Sequence, residues 1–384
     1  MAVHGRFRRG VAAVLLGLLL TSCATFPDQG PRDWKEKLEG AGELGGPPVI
    51  PDPDAAVPPP PGPAGQSATP PAVGGCTDTD PQVIATCLEP VGAIAVLPDA
   101  RSALVGERAT GRILKVQKDT DPQLVASVPV DTAGGGGLTG LVLSPAYSED
   151  HLLYAYITTA TDNRVVRIAT GEPAKPVLVG IPRGATHNGG ALGVDVDGSL
   201  LVATGDAGGN AADPATLAGK LLRIDTLGHP ATGNPTAGSP VLSSGLHAPG
   251  GICTDPVSTL TWITDRTDTQ DVLHRVVPGP LPAPAWTWPD RPGVAGCMAQ
   301  PGVVAIAETG AAALFVLRPG ENGTFTGEPQ TLLANTYGRL NAAALAPDGL
   351  LWLGTVNKAG GKPVPSDDRV VRVQPPSGGG ASKA

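Results

Sequence analysis

GIPRGATHNGGALGVDVDGSLLVATGDAGGN spans residues 180–210, and LAGKLLRID follows at 217–225. The Asp197-Gly198 dipeptide between two apolar runs reads as a tight turn joining two strands, the second being Leu200–Thr204. Gly205-Asp206-Ala207-Gly208-Gly209 ends that strand, and Lys220–Asp225 begins a third. His187 precedes the first strand in a polar, glycine-rich turn. A titratable side chain on a loop at the end of a rigid sheet is a common way to build a site.

The same three-strand pattern recurs on both sides. Upstream it reads GAIAVLPD, SALVGER, GRILKVQ, and then GLTGLVLSP, LLYAYITT, NRVVRIA. Downstream come GGICTD, LTWITDR, DVLHRVV, then GVVAIAE, ALFVLRP, and finally NAAALAPDG, LLWLGTVN, DRVVRVQ. The starts fall near residues 92, 137, 190, 250, 302 and 341. Short strands repeating every 40 to 60 residues or so predict propeller blades, so the expected fold is an all-β, six-bladed β-propeller. Linking segments such as LVASVPV and PVLVGI supply outer strands. The last unit runs out of chain before a fourth strand, and QVIATCL at 82–88 is expected to fill that place from the N-terminus. Closing the ring this way removes an open sheet edge.

The ends read differently. Arg6, Arg8 and Arg9 followed by the apolar run Val11–Leu20 form an export signal too short to span a bilayer. Leu20-Thr21-Ser22-Cys23 resembles a bacterial lipobox, which marks residues 1–23 as a lipoprotein signal with its lipobox and predicts that Cys23 is lipidated and becomes the new N-terminus. Residues 24–75 are rich in Pro, Gly, Ala and Ser and read as a disordered tether with a reach on the order of 150 Å. The propeller is expected over 76–374, with a disordered tail at 375–384. The organisation predicts a monomer on the extracytoplasmic face of the cell membrane, held by the lipid.

Five cysteines suit export. With Cys23 lipidated, the economical pairing of the rest is Cys76–Cys87 and Cys253–Cys297, one of three connectivities. No CxxC or HxxxH spacing suggests zinc. A formal charge of −8 with scattered Lys and Arg argues against nucleic acid as a partner. Aromatics make up only 3%, although Trp286 and Trp288 are candidates for lining a pocket.

HNGGAL, DGSLLVATGDAG and LAGKLLRID resemble the glucose/sorbosone dehydrogenase family, whose active members are soluble sugar dehydrogenases using pyrroloquinoline quinone (PQQ) with calcium. The resemblance implies a six-bladed propeller, with His187 as catalytic base and Asp206 in a mainly structural turn. The bland alternative for His187 is a loop histidine bonded to backbone. Several cofactor-holding positions of the family differ here. Ala191 stands in place of an arginine, and in GLHAPGG His247 stands for another arginine and Ala248 for an asparagine. The calcium loop is replaced by TDRTDTQD, with Asp265, Asp268 and Asp271 expected to form a solvated acidic loop or a weak cation site. A lysine expected in the fifth unit has no counterpart. Arg339 matches one of two family arginines before the sixth unit, and Asn341 occupies the place of the second. Tyr337 and Arg339 are expected to edge the central channel.

PQQ is a trianion, and each carboxylate desolvated without a cation costs several kcal/mol. The leading expectation is therefore an exported propeller with a depleted cofactor site that binds a sugar or an envelope-protein partner without redox turnover. A working PQQ-dependent aldose dehydrogenase with His187 as base is the first alternative. A calcium-dependent lactonase-type propeller is the second.

Overall fold

The computed structural model describes residues 75–376, save 210, 321 and 322. The expected signal, Cys23 and most of the tether lie outside these residues, as do 377–384 of the expected tail. Pro376 is within them, and its carbonyl accepts a hydrogen bond from Gln300 Nε2 at 3.3 Å. No helix among the described residues is long and apolar enough to cross a membrane.

Six antiparallel sheets follow one another along the chain as six blades of a propeller. Blade 1 holds Val91–Val96, Ser102–Glu107, Arg112–Gln117 and Thr120–Ser127. Blade 2 holds Leu138–Leu143, Leu153–Thr158, Asn163–Ile168 and Lys175–Ile181. Blade 3 holds Gly190–Val194, Leu200–Thr204, Lys220–Ile224 and Val241–Ser244, with Gly279–Pro280 added in parallel to the last. Blade 4 holds Pro249–Thr254, Thr261–Arg266, Asp271–Arg275 and Trp286–Trp288. Blade 5 holds Val294–Gln300, Val303–Glu308, Ala313–Leu317 and Gln330–Leu332. Blade 6 holds Leu340–Leu345, Leu351–Thr355 and Val370–Val373, and Val83–Ala85 completes it by pairing with Val370 and Val371.

Burial follows from this arrangement. Each blade lies between two others, so its second strand is covered on both faces and reads as a continuous apolar run rather than an alternating one. Leu153–Thr158 and Leu351–Thr355 are buried at every residue. The outer strand Thr120–Ser127 is largely exposed. The apolar core is correspondingly split into six clusters, one at each interface between blades. Trp352 anchors the interface of blades 6 and 1 and Trp262 that of blades 4 and 5, both fully buried. Burying a large apolar side chain contributes about 1.5–3 kcal/mol.

One boundary differs from the expectation. The fifth unit starts at Val294, not near residue 302, because VAGCMAQ is the innermost strand and GVVAIAE the second. Near the axis the chains crowd, and only small side chains fit. A Cβ on Gly296 would come within 2.6 Å of the Ala343 nitrogen on blade 6. A strand selected for smallness carries little of the β-branched signal by which strands are recognised.

Both disulfides have the expected partners. Cys253–Cys297 joins the innermost strands of blades 4 and 5, with Cα atoms 5.6 Å apart. Cys76–Cys87 closes a loop around the ring-closing strand, with Cα atoms 5.3 Å apart.

Candidate functional site

Every innermost strand starts, and every second strand ends, at the same end of the ring. The loops joining them therefore gather around one mouth. Two adjoining cavities, about 460 and 250 Å3, open there and share Gly135, Gly189, Pro249 and Arg266. His187 and Asp268 line the first, and Arg339 and Asn341 the second.

The turn that presents His187 is built by its neighbours. Asn188 is fully buried, and its side chain donates to the carbonyls of Ala133 and Gly184 and accepts from the Gly184 amide. Its own amide donates to Gly134 O. This ties the loop before blade 3 to the loop before blade 2. His187 adopts a left-handed φ of 53°, and its carbonyl packs against Gly205, where any Cβ would lie 1.9 Å away. The glycine after LLVAT thus exists so that the histidine turn can lie on it.

His187 Nδ1 lies 2.7 Å from Asp206 Oδ1. Asp206 is 5% exposed, and the same oxygen accepts the Gly208 amide at 2.8 Å. That oxygen is an acceptor, so the proton of the pair sits on Nδ1 and the Nε2 lone pair is left free. The contact replaces the expectation of a backbone-bonded loop histidine, and it gives Asp206 a part beyond turn geometry. A base held in one tautomer by a buried carboxylate is the arrangement general-base chemistry uses.

Four guanidinium groups surround the mouth. Arg108 and Arg339 line the smaller cavity, Arg291 the larger, and Arg266 both. None of the four has a carboxylate partner among the described residues. Arg108 donates through Nε to Gly136 O at 2.9 Å. Burial pushes its pKa down, and the charge of Arg266 adds to the effect. Arg339 Nε is buried with no hydrogen-bond partner. Arg108 and Arg339 are half-buried, whereas Arg266 and Arg291 are exposed. Half-buried like charges without a partner are stabilised by an anion. Arg108, Arg266 and Arg291 were not read as site residues from sequence. Arg108 follows the second strand of blade 1, Arg266 ends the second strand of blade 4 and Arg291 lies on the connection to blade 5, and only ring closure brings them together. That none of them forms an ion pair among the described residues, which no linear motif records, is the signal.

The other expected residues fall differently. Asn341 lines the smaller cavity, but its Nδ2 is engaged by Val91 O at 2.8 Å, where it ties blade 6 to blade 1. His247 is not among the lining residues. Its amide donates to the Asp265 carboxylate at 2.9 Å, its Nδ1 lies 3.5 Å from that carboxylate, and its carbonyl accepts the Asp206 amide. The neighbouring Asp265 carboxylate holds the His247 imidazole above its ordinary pKa. The residue therefore buttresses the His187–Asp206 pair from behind. Ala191 is buried in the interface of blades 3 and 4. Tyr337 is buried and turned away, bonded to Asp80 and Gln82, so Arg339 alone of that pair faces the mouth.

In the acidic loop only Asp268 is solvated, and the three carboxylates do not converge. Asp265 is fully buried and takes the amides of His247 and Ala248. Asp271, 1% exposed, takes those of Gly293 and Val294. Only Asp268 lines the cavity. Among the described residues no three His, Cys, Asp or Glu side chains come together to hold a metal. Trp286 and Trp288 do not line the mouth either. They stack with Phe315 in the apolar interface of blades 4 and 5.

A family model described as Glucose / Sorbosone dehydrogenase matches residues 88–281. Among solved structures, the PQQ-bound aldose sugar dehydrogenase from Streptomyces coelicolor is 32% identical, covering 77% of this chain and 96% of that one, with a TM-score of 0.71. An oxidoreductase of glucose-dehydrogenase type from Thermus thermophilus is also 32% identical, over 76% of this chain and 98% of that one, with a TM-score of 0.70. The apo form of the soluble aldose sugar dehydrogenase from Escherichia coli, at 20% identity, shares the fold over 76% of this chain and 99% of that one, with a TM-score of 0.67.

Proposed function

This chain belongs to the glucose/sorbosone dehydrogenase family, and from that premise we propose that its mouth is a sugar-oxidising site, with His187 as base and Arg108, Arg266 and Arg339 holding PQQ. The observation that carries the reading is the set of guanidiniums without carboxylate partners beside an oriented imidazole. The positions read as depleted carry Ala191, His247 and Ala248. Other positions supply cations in their place, and this moves the balance from binding without turnover to oxidation.

The donor set suits a planar polycarboxylate. Guanidinium groups pair bidentately with carboxylates, and Arg339 Nε is a buried donor awaiting an acceptor. When bound, PQQ would supply a two-electron acceptor for the hydride leaving the sugar carbon. The chain's own part is acid–base and positional. Nε2 of His187 accepts the sugar hydroxyl proton, and Asp206 stabilises the resulting imidazolium through Nδ1. The larger cavity, with Thr186, Thr267 and Asp268 on its wall, offers hydroxyl and carboxylate partners to sugar hydroxyls. Among the described residues no three His, Cys, Asp or Glu side chains come together, so no step is assigned to calcium.

The test is titration of the purified protein with PQQ, with and without calcium, followed by dye reduction over a panel of aldoses. Binding and turnover are expected, with His187→Ala lowering the rate by about 10²-fold or more while PQQ affinity holds. Absence of PQQ binding overturns the reading. Binding without turnover favours the second reading, a ligand-binding propeller, for which Ala191 and Ala248 at cofactor positions already speak.

A further inference from the structure

Arg339 is held from behind by a relay that begins at the first described residues of the chain. Its amide donates to Asn357 Oδ1 at 2.7 Å. Asn357 is 3% exposed, and its Nδ2 donates to Tyr337 O and to Asp367 Oδ1, both at 2.8 Å. Arg369 grips the same two acceptors from the other side. Its Nη2 donates to Tyr337 O at 3.2 Å and its Nε to Asp367 Oδ1 at 2.9 Å. The remaining arm, Nη1, reaches Asp78 Oδ2 at 3.1 Å, which also accepts Ser366 Oγ. Asp78 lies two residues beyond Cys76, whose disulfide to Cys87 fixes the segment. The guanidinium also lies 5.6 Å over the Tyr337 ring, whose hydroxyl is bonded to Asp80 and Gln82.

Each link is charged, buried or both. A planar guanidinium with three acceptors in three directions leaves no rotational freedom to the Tyr337–Arg339 turn. Gly338 in that turn has a φ of 80° and packs directly on Asn357. The turn therefore has no conformation of its own choosing, and the base of the Arg339 side chain is fixed by its neighbours.

We propose that Arg369 is a positioning residue, carrying the hold of the N-terminal Cys76–Gln82 segment through Tyr337, Asp367 and Asn357 to the backbone of Arg339. Its bearing on ligand rests on the reading that Arg339 contacts the anion. Arg369 itself sits on the far side of the relay and has no direct part in binding.

Two measurements on the full chain separate the linkage from the site. Hydrogen–deuterium exchange of the Arg339 amide is expected to quicken by at least about tenfold in Arg369→Gln, less in Arg369→Lys, with the His187 turn unchanged. Arg223→Gln, which breaks a comparable pairing with Asp195 and Asp197 on blade 3, is the control and leaves Arg339 unchanged. The PQQ dissociation constant, read by fluorescence quenching, is expected to rise about tenfold in Arg369→Gln but not when the same change is made on an Arg339→Ala background. Unchanged exchange at Arg339, or an additive loss of affinity in the double variant, overturns the inference. If the unaltered chain does not bind PQQ, the site reading fails and exchange alone decides the relay.

Discussion

Glu308 ends the second strand of blade 5, 3% exposed, with Oε1 lacking any hydrogen-bond partner. Burial, with added repulsion from Asp290 and Asp271, pushes its carboxyl up to about 7 from an ordinary 4.5. Between those two values the folded chain binds more protons at this site than the unfolded chain. Stability therefore falls as pH rises through that window and levels off above it. At about 1.4 kcal/mol per unit, the charged form costs on the order of 3 kcal/mol once pH exceeds 7. Glu308→Gln replaces the group with a neutral one of the same shape. Urea unfolding of both proteins at pH 4.5 and pH 8 is the assay. The variant is expected to match the parent at the acidic value and to exceed it by up to about 3 kcal/mol at the alkaline one. An equal difference at both pH values, or none at either, would refute the reasoning, since it would mean that Glu308 has found a partner or lies in water.

Further outcomes concern the two ends of the chain. Replacing Cys76 and Cys87 together by serine is expected to lower stability by about 2–4 kcal/mol in non-reducing denaturation, through the loop around the closing strand; an unchanged midpoint counts against that strand as a staple. Cys23→Ala is expected to move the protein from the membrane to the soluble fraction, and retention of the variant after detergent-free washing counts against the lipid anchor.

The fold was legible because blades repeat. Leu-Val-Ala-Thr-Gly-Asp and Leu-Trp-Leu-Gly-Thr are recognisable wherever they fall, and a missing fourth strand at one end with a spare strand at the other implies closure. VAGCMAQ escaped notice because crowding at the axis selects small residues over strand-like ones. The site was legible only where one turn contains it. His187, Asn188 and the glycines lie within a few positions of each other, so their geometry leaves a local trace. Arg108 and Arg266 are separated by more than a hundred residues, and what marks them is that neither forms an ion pair among the described residues. Trp286 and Trp288 suggested a pocket by composition, but Phe315 offered them a dry interface, and large apolar rings go where most area can be covered.

Val83 pairs with Val371, so the first strand of the ring waits for almost the last. A chain made from its N-terminus must keep that strand unpaired while five other blades take shape, and no amount of local structure can hurry the final contact. Pairings of such sequence separation slow folding, and unpaired strand edges invite association with other chains. The small disulfide loop at Cys76 and Cys87 needs no distant partner. It can form while the rest is still being made, holding the waiting strand in a closed loop until blade 6 arrives to receive it.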